Sequence, residues 1–405
     1  MYRYDQIRHA HLEPTTVCQA GCPMCARNAC GVTAPGLGRA ELRIGDVRTI
    51  LPEPFVASLT GFDLCGAYGD PAAAADLPAI VAYVRGASPN ALITVYTNGG
   101  IRSPGWWASF ANTLGAPGRV VFAIDGLAET NGTYRRGVSF QKVVDNARAF
   151  IQAGGEARWE FLAFRHNEAD IEGARALSEE LGFREFSVKK TARFLEPLYE
   201  YIPEVQGQPD IDRFPVFDAG GAVVGYLEPP EDTGLVNASM VRYEELIARY
   251  GSLDGLFSAT PIRCRVLDSA SVFVSATGHA YPCCWTYVQA TRAELFGFPA
   301  HADRQMADLV RQTGGFERLD ARTLGLRAVV EGPLFSAIER SWSCGSVQDG
   351  RLRVCARACG VDFPSYSDQF TELKLQPRGL QPQRAVSGSS LPVIPPAPAA
   401  TPLPA

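Results

Sequence analysis

The chain has 405 residues, 46% of them hydrophobic and 20% charged, with a formal net charge of −5. That balance fits a globular protein with one large and one smaller domain, and its slight acidity leaves no footprint for nucleic acid. No apolar run approaches the length of a membrane span, and the opening Met-Tyr-Arg-Tyr-Asp-Gln lacks the apolar core of a secretion signal. Eleven cysteines without an export signal point to metal ligation rather than disulfides. The expected setting is a reducing cytoplasm.

From residue 9 to 188, short apolar runs alternate with longer amphipathic ones. The strands expected are His11–Val17, Leu59–Cys65, Leu92–Thr97, Val120–Ile124, Trp159–Phe164 and Phe186–Lys189. The helices expected are Glu41–Leu51, Asp76–Arg85, Trp106–Leu114, Phe140–Ala153 and Glu168–Leu181. Such alternation predicts a parallel α/β sheet with right-handed crossovers. Six such repeats fit either a doubly wound sheet or an open barrel, and in a barrel active groups sit at the C-terminal ends of the strands.

The run Cys18-Gln-Ala-Gly-Cys22-Pro-Met-Cys25 follows the first strand. Three thiolates on one tight loop can converge on a soft metal centre, either zinc or iron–sulfur. A four-iron cluster normally takes four cysteines. Three leave one iron open, and an open position is where a metal does chemistry.

After the second strand comes Gly66-Ala-Tyr-Gly69-Asp70-Pro71, in which Gly69 permits close backbone approach. Thr97-Asn98-Gly99 follows the third strand, and Asp125-Gly126 with Tyr134-Arg135-Arg136 follows the fourth. Arg165-His166-Asn167 and Lys189-Lys190 close the fifth and sixth, and are expected at the barrel mouth, where they suit a substrate carrying carboxylate or phosphate. Residues 191–255 contain Pro197, Pro203, Pro209 and Pro215 as breakers, a hairpin candidate over Phe214–Leu227 and a helix over Val241–Tyr250. Cys264, Gly278 and Cys283 form a C-x13-G-x4-C pattern around a hairpin, and Cys344, Cys355 and Cys359 come later. A structural zinc site is the other chemistry that four cysteines support.

The first cysteine run is the signature of the radical SAM superfamily, and the chain resembles that family over residues 9–365. The later cysteines resemble a C-terminal SPASM or twitch module. The resemblance implies a partial open (βα)6 barrel over 1–200, a bridging segment over 201–255 and a smaller cluster domain over 256–370, while the Pro- and Ala-rich composition of 371–405 predicts a disordered tail. It implies that Cys18, Cys22 and Cys25 hold a [4Fe–4S] cluster that chelates S-adenosylmethionine. Reductive cleavage would then give a 5′-deoxyadenosyl radical that abstracts hydrogen from a small metabolite or a peptide side chain.

Contacts to S-adenosylmethionine are implied for Met24, Gly69, Asp70, Thr97, Asn98, Asp125 and Arg136. Met24 replaces the usual aromatic and would pack on adenine. Asp70 would face the amino group. Asp125 would lie near the ribose, and Arg136 would pair with the carboxylate, with Arg135 the other candidate. An auxiliary [4Fe–4S] cluster on Cys264, Cys283, Cys355 and Cys359 is implied, with Cys344 the rival to the last two. A flavodoxin or ferredoxin is the expected electron donor. The competing function is a non-catalytic zinc or iron–sulfur scaffold that recruits partners through its Pro-rich tail.

Overall fold

A computed structural model describes residues 1–195, 211–297, 304–363, 365 and 368–371. Met1–Leu375 forms one compact unit. Pro197, Pro203, Pro209 and nearly all of the expected tail lie outside the described residues.

Six strands run parallel in chain order: β1 (His9–Leu12), β2 (Gly61–Leu64), β3 (Leu92–Thr97), β4 (Gly118–Ala123), β5 (Glu156–Leu162) and β6 (Glu185–Lys189). Between them lie α1 (Ile44–Ile50), α2 (Leu77–Ala87), α3 (Pro104–Leu114), α4 (Phe140–Gln152) and α5 (Ile171–Leu181). The α/β class and the parallel pairing of the six strands are as the alternation of runs predicts.

The first strand differs from expectation. It ends at Leu12 rather than Val17. Pro14 has no N–H to give a ladder, so the chain leaves the sheet there and enters the cysteine loop.

The helices cover the sheet with apolar stripes. In α4, Val143, Val144, Ala147 and Phe150 are buried at helical spacing. The Ser139 side chain accepts from the Lys142 amide at the start of this helix, satisfying one of its free donors. Trp107, Phe122 and Phe150 pack together beneath it, with ring centroids 5.3–6.2 Å apart.

A two-stranded ribbon stands apart from the main sheet. It joins β7 (Phe214–Phe217) to β8 (Val223–Leu227) in antiparallel register. Asp218 Oδ1 accepts from the Gly220 and Ala222 amides at 2.8 and 3.0 Å, and Gly221 has φ +82°. This is the hairpin expected over Phe214–Leu227. Beyond it, α6 (Tyr243–Tyr250) ends at Gly251, which has φ +77°.

The region carrying the later cysteines continues the barrel sheet. Strand β9 (Ser271–Val274) pairs in parallel with β1, and β10 (Ala280–Tyr281) pairs antiparallel with β9. At the opposite edge, β11 (Phe370–Thr371) pairs antiparallel with β6. The sheet order is therefore β10-β9-β1-β2-β3-β4-β5-β6-β11. Two further helices carry or flank cysteines: α7 (Cys284–Leu295), with Cys283 at its N-cap, and α8 (Arg353–Cys359). Among the described residues, no helix is long and apolar enough to cross a membrane.

Candidate metal and cofactor site

The C-terminal ends of the strands open on one cavity of about 630 Å³. Cys65, Thr97, Ala123, Leu162 and Lys189 line it, one at or just after the end of each of β2 to β6. The same cavity is lined by Cys18, Cys22 and Cys25 and by Cys264, Cys283, Cys355 and Cys359. Both cysteine groups thus face one space.

The first loop is held by the protein itself. The Gly21 amide donates to Arg136 O at 2.8 Å, and Asn28 Nδ2 donates to Cys22 O at 3.1 Å. The buried Arg27 donates to Thr16 O and Tyr68 O at 3.1 and 3.0 Å, stitching this loop to the one after β2. Burial pushes the Cys22 thiol up to about 11, against the pull of the Arg135 guanidinium. Burial, with the Asp70 carboxylate nearby, pushes Cys18 up to about 12. Such thiols stay protonated alone and would ionise on meeting a metal, which displaces their protons.

Asp70 lines the cavity but is only 4% exposed. Its Oδ1 accepts from the Ala72 amide at 2.9 Å and from Thr97 Oγ1 at 2.8 Å. Its Oδ2 accepts from the Asn98 amide at 2.8 Å and from Asn98 Nδ2 at 2.6 Å. The carboxylate therefore organises the loop after β3. Burial raises its pKa, against the hydrogen bonds that oppose protonation.

Gly69 also lines the cavity, yet a Cβ there would sit 1.8 Å from Thr15 O. The close approach that requires glycine is to the neighbouring loop.

Asp125 is fully buried and lines the cavity. Its Oδ1 accepts from the Leu162 amide at 2.8 Å, and its Oδ2 accepts from Arg135 Nε at 2.5 Å. Of the two adjacent arginines, Arg135 lines the cavity and Arg136 does not. Arg136 Nη1 instead donates to Phe217 O at 2.5 Å, reaching the β7–β8 ribbon. Met24 is 1% exposed and packs in the core rather than on the wall, and its carbonyl accepts from Arg193 Nη1 at 2.7 Å.

The charges after β5 are not at the mouth. Arg165 pairs with Glu228 and Glu231, His166 stacks on Phe164 and Asn167 Nδ2 donates to Asp125 O at 2.9 Å. Lys189 and Lys190 do line the cavity, paired at 3.3 Å with Glu160 and Asp368.

The second cysteine group is assembled from three places. Cys264 caps a short helix, Cys283 caps α7, and Cys355 and Cys359 stand on α8. The Cys264 thiol donates towards Cys359, which lowers Cys359 relative to its partner despite burial. Cys344 does not line the cavity, and its thiol faces Arg340 O at 3.9 Å. Among the described residues, no three His, Cys, Asp or Glu gather closely enough to hold one ion. The four thiols line the wall of the cavity.

Two buried residues escape sequence reasoning. Glu13 is fully buried and accepts from the Tyr68 and Gly69 amides at 2.6 and 3.2 Å. Its other oxygen accepts from the Ala276 amide at 3.5 Å, joining the first and second regions. Burial pushes its pKa up to about 7. The only signal was an acidic residue where a strand should still run. Arg351, 7% exposed, donates to Phe257 O at 2.9 Å and to Thr260 O and Trp342 O, anchoring the approach to α8. Nothing in its sequence context marks it.

No family model matches the chain, and no curated protein matches it. Among solved structures, it is similar to SuiB of Streptococcus suis bound to the precursor peptide SuiA, with 16% identity and a TM-score of 0.48, covering 88% of this chain and 73% of that one. In another crystal structure of SuiB the alignment spans 60% of that chain and 69% of this one, at 14% identity and a TM-score of 0.43. Native anSMEcpe with bound AdoMet is similar at 13% identity and a TM-score of 0.45, covering 87% of this chain and 88% of that one.

Proposed function

We propose that this chain is a radical SAM enzyme with an auxiliary [4Fe–4S] cluster. The observation that carries the reading is the single cavity lined by Cys18, Cys22 and Cys25 on one side and Cys264, Cys283, Cys355 and Cys359 on the other. Three cysteines on one loop leave an iron open, and four on the second site close a cubane. When bound, the first cluster and S-adenosylmethionine supply one electron and a 5′-deoxyadenosyl radical for hydrogen abstraction.

The chain's own residues bind, orient and enclose. Cys18, Cys22 and Cys25 would hold the first cluster, and the second set the auxiliary one. Asp70 fixes Thr97 and Asn98 against the cysteine loop. Asp125 fixes Arg135, whose planar fork suits the carboxylate of S-adenosylmethionine. Tyr96, Glu160 and Lys189 line the same cavity and would face the substrate. Together they suit a polar small molecule or a peptide side chain. Cys264, Cys283, Cys355 and Cys359 would hold the auxiliary cluster, which would supply a one-electron acceptor beside the substrate space. A flavodoxin or ferredoxin would reduce the first cluster.

The test is anaerobic reconstitution followed by reduction with dithionite in the presence of S-adenosylmethionine. About eight irons per chain and release of 5′-deoxyadenosine are expected, as two cubanes imply. Stoichiometric zinc without sulfide-bound iron would overturn the reading.

A further inference from the structure

Two buried carboxylates repeat one arrangement at two cysteines of the first loop. Asp70 Oδ2 accepts from Asn98 Nδ2 at 2.6 Å, and that same nitrogen lies 3.6 Å from Cys18 Sγ. Asp125 Oδ2 accepts from Arg135 Nε at 2.5 Å, and Arg135 Nη1 lies 3.9 Å from Cys22 Sγ. In each case a carboxylate fixes a nitrogen donor, and the donor is aimed at a cysteine sulfur. The carboxylates are themselves pinned by backbone amides, Asp70 by Ala72 and Asn98, Asp125 by Leu162.

We infer that Asn98 and Arg135 set the reduction potential of the centre on Cys18, Cys22 and Cys25, with Asp70 and Asp125 as positioning residues behind them. This rests on the cluster reading above. Hydrogen bonds to cluster sulfurs are among the determinants of an iron–sulfur potential. A donor stabilises the state with more negative charge on sulfur, which is the reduced one. Both donors therefore ease entry of the electron. Arg135 carries a full charge and Asn98 a dipole, so the arginine effect is the larger. It is damped because Asp125 lies on the same guanidinium.

The readout is the potential, followed by the spectroscopic signal of the reduced cluster during a redox titration. Variants carrying Cys264→Ala and Cys283→Ala in the background isolate the first centre. At the background protein's midpoint, Arg135→Gln is expected to lower the ratio of reduced to oxidised centre about tenfold, equal to about 59 mV for one electron. Asn98→Leu is expected to lower it about threefold. Arg135→Lys keeps the charge and should recover most of the loss, which a merely structural role would not produce.

Iron content separates the possible failures. A background protein that takes up no iron on the first loop would overturn the cluster reading itself. Variants that retain about four irons with reduced-to-oxidised ratios within a factor of two of the background would overturn this inference alone. Loss of iron from all three variants with the thermal transition intact would do so as well, since the residues would then serve assembly.

Discussion

The two cysteine groups face one cavity but are built in different ways. The first lies on a single loop, Cys18 to Cys25, whose shape is fixed by backbone and side-chain bonds to loops after β2 and β4. The second draws Cys264, Cys283, Cys355 and Cys359 from a short helix, a hairpin end and a late helix. A site made by one loop depends on local geometry. A site made by distant segments depends on the fold, and the fold in turn depends on it, because metal affinity gained on assembly is folding free energy.

That contrast yields the largest expected effects. Changing Cys18, Cys22 and Cys25 together to Ala should abolish 5′-deoxyadenosine formation. It should leave about four irons, the content of one cubane, and a thermal transition close to that of the parent. Changing Cys283 and Cys355 to Ala should instead remove the second site's iron and lower the transition by several degrees. Iron assays and melting curves read both. Equal destabilisation by the two sets would show that the first loop is not held by the protein bonds described above.

The legibility of the sequence follows the same division. The cysteine loop and the six strand–helix repeats can be read because their signals are local: a spacing, a periodicity, a turn residue. Pro14 shortens β1, an effect visible in the sequence but subordinate there to the apolar run. The choice between Arg135 and Arg136 depends on which one the turn after β4 aims inward, and no periodicity exists in that turn. Asp70 and Asp125 are conspicuous as residues. Their lone pairs are taken by Thr97, Asn98, Leu162 and Arg135, a fact of tertiary structure. Glu13 and Arg351 were illegible because their partners are backbone groups from distant segments. The continuity of β9 with β1 is likewise a pairing across the whole chain.

Glu13 offers a smaller, pH-dependent test of how the two regions are joined. Its carboxyl is raised to about 7 from an ordinary value of 4.5, chiefly by burial. The folded state thus holds this proton more tightly than the unfolded one. The group's stabilising contribution is full below pH 4.5 and is lost as pH rises through 7. At pH 8 a buried carboxylate remains, at a cost on the order of 3 kcal/mol. Glu13→Gln keeps an acceptor for the Tyr68 and Gly69 amides without the charge. The variant should be more stable than the parent at pH 8, with the difference shrinking towards pH 5. Denaturant unfolding at several pH values would show it. A difference constant with pH would mean that the carboxyl titrates normally.

The smallest expected effect concerns the contact that helps seat α8. Arg353, at the start of that helix, makes a two-pronged pair with Asp254, Nε to Oδ1 at 2.7 Å and Nη2 to Oδ2 at 2.6 Å. Each side chain is about one-third exposed, at 33% and 36%. The Arg353 fork holds the Asp254 carboxyl below its ordinary value. The pair's stabilisation is therefore present above the unfolded carboxyl's pKa, about 3.9, and is lost as pH falls through the folded value. Solvent screening limits such a pair to about 1 kcal/mol or less. Asp254→Asn should thus lower stability slightly at pH 7 and hardly at all at pH 3. Because Cys355 and Cys359 stand on the same helix, the second site should lose iron to a chelator faster in the variant, while the first site's rate stays unchanged. Faster loss from both sites alike would mean that the pair steadies the whole unit rather than the seating of α8.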